Sequence, residues 1–191
     1  SYDRIWKHFE AQVSILTRLV STMDVFQAVY ERRSIRAFSM KDVTQTALTR
    51  VLDAGRQAPS AGNLQPWELV VVRDSKRKMA LAKAAFGQYF VAEAPIVVVV
   101  CVNPARSARR YGDRGTSLYC LQDSAAFIQN MLLVSYALGL GSCWVGAFDE
   151  AKAAQAIEAP DGIRPIAIIP IGFPGESPSA PPRRSLKDIV H

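Results

Sequence analysis

The sequence predicts a layered domain, a sheet packed against helices, of either α/β or α+β class. Three observations carry this reading. Residues 96–102 (IVVVVCV) form a continuous β-branched run, the pattern of a strand buried on both faces. Residues 122–138 form a long apolar segment closed by Gly139, as expected of a buried helix with glycine at its C′ position. Strand-like and helix-like segments then alternate along the chain. With 191 residues, it is long enough for one domain with a core of its own.

In chain order, residues 1–22 set Ile5, Phe9, Val13, Leu16, Leu19 and Val20 at roughly helical spacing, which predicts an amphipathic helical extension. Asp24 caps a short helix carrying Val25, Phe26 and Val29, which runs into the basic segment ERRSIRAF. A second helix spans Thr44 to Gln57, with Ala47, Leu48, Val51 and Leu52 on one face. It must stop near Ala58, because Pro59 disfavours helical geometry at the residue before it. The loop PSAGNLQP leads into a strand, WELVVV. Ser75 to Phe86 is helical, capped by Asp74 or Ser75. Residues 103–119 are polar, Arg-rich and broken by glycine, and read as a loop or lid. Cys143 to Ala147 and Ile166 to Gly172 complete four strands, this last pair without a strong helix between them. A Pro-rich tail from Ser177 reads as extended.

Composition excludes several functional classes. The chain is 49% hydrophobic and 21% charged, too apolar for disorder. Cysteines at 101, 120 and 143 have no CxxC spacing, so neither a disulfide scaffold nor a zinc ribbon is expected. Cys101 and Cys143 read as core residues, and Cys120 as the one thiol with prospects of reactivity. The uncharged stretch 124–148 could span a bilayer by length, but amides, serines and three glycines interrupt it. A soluble cytoplasmic protein with no membrane association is therefore expected. His8 and His191 are the only histidines and lie near the ends, which argues against a histidine triad or metal site. Neither glycine-rich phosphate loop is present. A net charge of +6 raises nucleic acid as a partner, but that needs arginines and aromatics gathered on one surface. Only residues 106–119 approach the pattern, so no nucleic acid is expected.

The basic residues are lopsided, with 16 Arg against 7 Lys, and arginine is the better residue for planar, two-point contact with phosphate. What remains is chemistry that needs few protein acids or bases, in which a flavin would carry the redox step and the protein would bind and orient it. No catalytic side chain is assigned. Arg32, Arg33, Ser34 and Arg36 would supply donors to a phosphate, with alternate side chains pointing one way in extended geometry. Read alone, such a run is more often a solvated basic face. Asn63 and Gln65, in a loop stiffened by Pro59 and Pro66, would present amides to a pyrimidine edge. Gly139 to Gly146 would let backbone approach a flat ring.

Taken in order, RRSIRAF, APSAGNLQPW before a strand, a long helix ending LGLGSCWVG, IPIGFP and an Arg-rich tail resemble the nitroreductase superfamily over about residues 23–191. The resemblance implies an α+β, three-layer domain with a central mixed sheet between helices, intertwined as a homodimer with FMN at the subunit interface. Residues 1–22 would be an extension to it. By position, Arg32, Arg33, Ser34 and Arg36 would hold the ribityl phosphate and part of the ring. Pro59, Ser60, Asn63 and Gln65 would line the flavin, Trp144, Val145 and Gly146 would offer backbone near it, and Arg183 or Arg184 would reach the phosphate. Arg183 is favoured, and Pro181 stands where relatives offer a lysine. The implied reaction takes hydride from NADH or NADPH and passes electrons to a nitroaromatic, quinone or similar flat acceptor by ping-pong turnover. Arg106, Arg109, Arg110, Tyr111, Arg114 and Tyr119 would form the lid. Reductive dehalogenation, flavin fragmentation and flavin binding without turnover are the alternatives.

Overall fold

Strand β2 (Ile96–Val102) is completely buried and organises the molecule. The computed structural model describes residues 23–191, so the predicted helical extension lies outside the described residues. Strand β2 runs antiparallel to β1 (Trp67–Val72) on one side and to β4 (Arg164–Gly172) on the other, and β4 pairs with the two-residue β3 (Gly141–Ser142). The order β1-β2-β4-β3 is antiparallel between all named strands. The mixed character expected of the sheet rests on one parallel bridge, between Ser34 and Ser142.

Alternation along β2 divides the core. Ile96, Val98 and Val100 face a cluster with Leu48, Val51, Phe127, Ile128 and Met131, contributed by α2 (Gln45–Arg56) and α6 (Cys120–Ala137). Val97, Val99 and Cys101 face a second cluster on the opposite side. It is built by α3 (Ser75–Ala84), α4 (Phe90–Glu93) and α7 (Glu150–Ile157). The result is the expected three layers, α+β in class, with each buried Val or Ile worth about 1.5–3 kcal/mol relative to exposure. Trp67 packs on Phe127 with ring centroids 5.1 Å apart, as a core residue.

Helix α1 (Val25–Glu31) is capped by Asp24, and α2 ends at Arg56, just before Ala58 and Pro59. Three sequence expectations fail. Residues 103–119 are not a loop: α5 (Pro104–Arg114) starts at an Asn103 cap with Pro104 in the first turn, and a π-helical turn, Gly115–Tyr119, joins it to α6. Helix α7 does stand between the last two strands, capped by Asp149, whose side chain accepts from Lys152 N–H. Residues 143–147 are not a strand: Val145 forms an isolated bridge with Ile168, and Cys143 N–H reaches the Pro170 carbonyl only at 3.4 Å. Among the described residues no helix is long and apolar enough to cross a membrane.

Candidate functional site

Residues 32–36 leave α1 extended and lie along β3, where Ile35 N–H donates to the Ser142 carbonyl at 3.0 Å. Alternation then sorts their side chains. Ile35 turns inward against Gly141, where an added Cβ would fall 2.8 Å from the Ile35 side chain. Arg32, Ser34 and Arg36 converge near the buried Cys143. Burial pushes that thiol up, opposed by Arg36, a hydrogen bond with Ser34 and Arg32. From the tail, Arg183 approaches the same place. Burial first, then the like charges of Arg183 and Arg33, hold the Arg32 guanidinium below its ordinary value. None of Arg32, Arg36 and Arg183 has a carboxylate ion partner among the described residues. The Glu176 carboxylate is engaged by the backbone N–H groups of Arg36 and Ala37. A cavity of about 280 Å³ opens beside Arg32, Arg33 and Ser142, walled also by Glu31 and Glu176, and Ser34, Arg36 and Arg183 do not line it. Arg32 is half-buried, whereas Arg36 and Arg183 are exposed, so like charge gathers at the edge of the buried Cys143.

Two predicted arginines stand apart from this group. Arg33 donates to the carbonyls of Tyr30 and Arg32, both at 2.8 Å. Arg184 donates to the Asp188 carbonyl within the tail. Val145 also has both backbone groups engaged, by Ile168 at 3.0 Å each way, which among the described residues leaves Trp144 and Gly146 as the free backbone of that segment.

The loop after α2 forms a second group. Gln65 N–H donates to Ser60 Oγ at 3.1 Å, and Ala61 N–H donates to Asp123 Oδ1 at 3.0 Å. Asn63 and Gln65 both take left-handed backbone, with φ of 55° and 49°. Gln65 Nε2 donates to the Asn63 carbonyl and Oδ1. That leaves Gln65 Oε1 as acceptor and Asn63 Nδ2 as donor, free of protein partners among the described residues and complementary to a pyrimidine edge. Arg110 and Tyr111 of α5 close on Gly62, with Nη1 and Oη 3.0 and 2.8 Å from the position of an added Cβ. Tyr111 and Tyr119 meet edge to face at 5.1 Å, and Arg114 Nε donates to Tyr119 Oη at 2.9 Å.

Asp123 is the residue that sequence reasoning passed over. It is 7% exposed, its Oδ2 has no partner among the described residues, and burial raises its carboxyl above the ordinary value against the opposing hydrogen bond from Ala61. Its only sequence signal was an acid in the first turn of an apolar helix. Cys120 proves fully buried, donating its thiol to the Thr116 carbonyl, with burial pushing it up, so its expected reactivity has no support.

The two groups occupy diagonal corners of the sheet. The amide loop enters at Trp67, in register with Val102 and Arg164, whereas Ser34 lies beside Ser142, in register with Ile171 and Ile96. Six residues along β2 and four strand spacings, from β1 across β2, β4 and β3 to Ser34, separate the corners by roughly 28 Å. Among the described residues no hydrogen bond or ion pair joins them.

A profile of the Nitroreductase family matches residues 29–93 and 82–173, most of the described chain. The chain belongs to this family. It is 31% identical to a NADH dehydrogenase of Thermus thermophilus over 88% of this chain and 95% of that protein. Among solved structures, this nitroreductase-family chain is similar to nitroreductase A from Vibrio parahaemolyticus, with a TM-score of 0.81 and 28% identity over 89% of this chain and 75% of that one. It is also similar to the NADPH:FMN oxidoreductase from Vibrio harveyi complexed with NAD+, with a TM-score of 0.80 and 27% identity over 87% and 76% of the two chains.

Proposed function

We propose that this chain is an FMN-dependent NAD(P)H oxidoreductase, working as a homodimer on nitroaromatic, quinone or similar flat conjugated acceptors. The observation that carries the reading is that Arg32, Ser34 and Arg36 lie about the buried Cys143 with Arg183 near Arg32, and that these arginines have no carboxylate ion partner among the described residues. The residues present fit FMN: a guanidinium and hydroxyl cluster suits its phosphate, and the free acceptor and donor on Gln65 and Asn63 suit its pyrimidine edge. FMN, when bound, supplies two-electron redox chemistry, taking hydride from NADH or NADPH and yielding electrons to the acceptor by ping-pong turnover.

The protein's part is to bind, orient and shield. Arg32, Arg36 and Arg183 neutralise the phosphate, and Ser34 adds a hydroxyl donor. Pro59 and Ser60 shape the loop that carries Asn63 and Gln65, while free backbone at Trp144 and Gly146 offers dipoles near the ring. Arg33 and Arg184 are the outer members of the predicted phosphate set. Tyr111 and Tyr119 provide flat faces for a stacked substrate.

The diagonal separation of the corners supports the homodimer. A gap of roughly 28 Å, from six residues along and four spacings across the sheet, exceeds the span from the phosphate to the pyrimidine edge of FMN. Supplying the two corners from different subunits lets one flavin use both. Three free, buried cysteines and a need for reduced nicotinamide suit the cytoplasm.

The test is a visible spectrum of the purified protein, followed by anaerobic addition of NADH or NADPH. The expected result is a flavin spectrum that bleaches and returns when a quinone or nitroaromatic is added. A protein that binds no flavin after reconstitution with FMN overturns the reading. Bleaching without reoxidation by any acceptor leaves flavin binding and removes acceptor turnover.

A further inference from the structure

The segment from Pro104 to Tyr119 contains more ordered chemistry than a connector requires. Arg109, Arg110 and Arg114 have no ion pair among the described residues, and Arg106 reaches Glu68 only at 3.7 Å. Two of these guanidiniums are held in place by aromatic partners. Arg114 lies 5.3 Å from the Tyr119 ring centroid with Nε on Tyr119 Oη, which leaves its terminal Nη groups as a free fork. Arg110 lies 5.6 Å from the Tyr111 centroid with Nη1 against Gly62, next to Asn63. The edge-to-face pair of Tyr111 and Tyr119 connects the two.

The backbone is specialised to create this arrangement. Gly112 sits inside α5 at φ 52° and ψ −137°, a conformation that side chains disfavour. The π-helical turn that follows projects Tyr119, and such turns concentrate at functional sites. An added Cβ on Gly115 would fall 2.5 Å from the Ser107 carbonyl, so the turn is packed tightly onto α5. A solvated basic face needs none of these features. The small footprint also suits one charged group better than a nucleic-acid track, which would need a longer basic surface.

We propose that Arg110 and Arg114, walled by Tyr111 and Tyr119, form a receptor for an anionic group carried by the flat substrate that occupies the flavin site. The chemistry is a phosphate or carboxylate met by planar guanidinium forks, whose prior ordering lowers the entropy cost of binding. The group can come from the donor, as the 2′-phosphate of NADPH, or from the acceptor, as an aromatic carboxylate. This inference rests on the flavin reading above, because Gly62 ties the arginines to the amide loop.

The experiment compares the FMN-loaded protein with its Arg110→Gln and Arg114→Gln variants, using substrate pairs that differ in one anionic group. Anaerobic reduction is followed with NADPH and NADH, and reoxidation with 4-nitrobenzoate and nitrobenzene. Calorimetry with NADP+ and NAD+ adds a readout independent of turnover. Loss of one charge-assisted contact should raise half-saturation for the charged member of a pair about tenfold, while its counterpart stays within about twofold. A shift confined to NADPH and NADP+ assigns the site to the donor phosphate, and one confined to 4-nitrobenzoate assigns it to the acceptor. Arg114→Lys, which keeps the charge and loses the fork, should fall between. Equal shifts for both members of every pair, or no shift in any, overturn the receptor while the protein remains a working flavoenzyme. Failure of the unsubstituted protein to bind flavin overturns the underlying reading instead.

Discussion

The Arg32–Arg183 corner and the Asn63–Gln65 corner are both polar and both lie at the margin of the sheet, yet different forces hold them. At the arginine corner the backbone does most of the positioning. Ser34 and Ile35 extend the sheet along β3, Ile35 fills the space over Gly141, and Glu176 caps the N–H groups of Arg36 and Ala37. Once the ladder forms, alternation aims Arg32, Ser34 and Arg36 together. The amide corner has no ladder. Its shape depends on single side chains, Asp123 on Ala61 and Ser60 on Gln65, and on two residues held at positive φ. The arginine corner is thus pinned by one bridge with its Ile35 N–H bond, by Ile35 packing and by Glu176, and the amide loop by side-chain bonds and strained backbone.

The sharpest way to break this comparison is to separate the corners between subunits. A homodimer carrying Arg32→Ala with Arg36→Ala should bind FMN at least about a hundredfold more weakly, since each hydrogen bond to a charged group is worth about 1.5–3 kcal/mol. A Gln65→Ala homodimer should also be weakened. A heterodimer isolated with one subunit of each kind has one intact site, and its flavin content should return to about half that of the unsubstituted dimer. Absence of recovery would show that each site is built within one chain.

Gly141→Val tests the ladder itself. Its side chain would collide with Ile35, so a destabilisation of about 1–3 kcal/mol is expected. Loss of flavin should accompany it, measured by denaturant unfolding and by absorbance. If flavin binding stays at its original strength despite that unfolding cost, the arginines do not depend on the Ile35 contact.

Asp123→Asn tests the other corner. A carboxyl raised by burial stabilises the fold while protonated. The contribution is complete below the ordinary carboxylate range and is lost as pH rises through the raised value. The asparagine variant keeps an acceptor for Ala61 N–H without a charge to bury. The stability of the unsubstituted protein should therefore fall relative to the variant as pH rises from that range towards neutrality. Parallel pH profiles would show that the carboxyl is not buried in solution.

The smallest effects separate neighbouring arginines. Arg183→Ala should weaken FMN by about tenfold, the effect of one charged hydrogen bond. Arg184→Ala and Arg33→Ala should change it far less, because both guanidiniums are engaged by backbone carbonyls. Equal losses at Arg183 and Arg184, read by fluorescence titration, would place the tail differently from this structure.

The amino-acid order determined the features that depend on local periodicity and on short motifs. The buried strand, the apolar helix, the α2 stop before Pro59 and the family's ordered blocks all lie within a few residues of their cause. Helices α5 and α7 were also written locally, in Asn103-Pro104 and in Asp149 with Lys152, but arginines and glycines obscured the first and its neighbouring strands the second. Only the tertiary structure decided which arginines converge. Arg32 and Arg183 are far apart in sequence, and a charged residue's partners are set by distance in space. Likewise, Asp123 is an ordinary helical acid until folding buries one oxygen and aims the other at Ala61. Charge and burial act through space, so the composition showed an arginine excess, and the fold determined where that excess gathers.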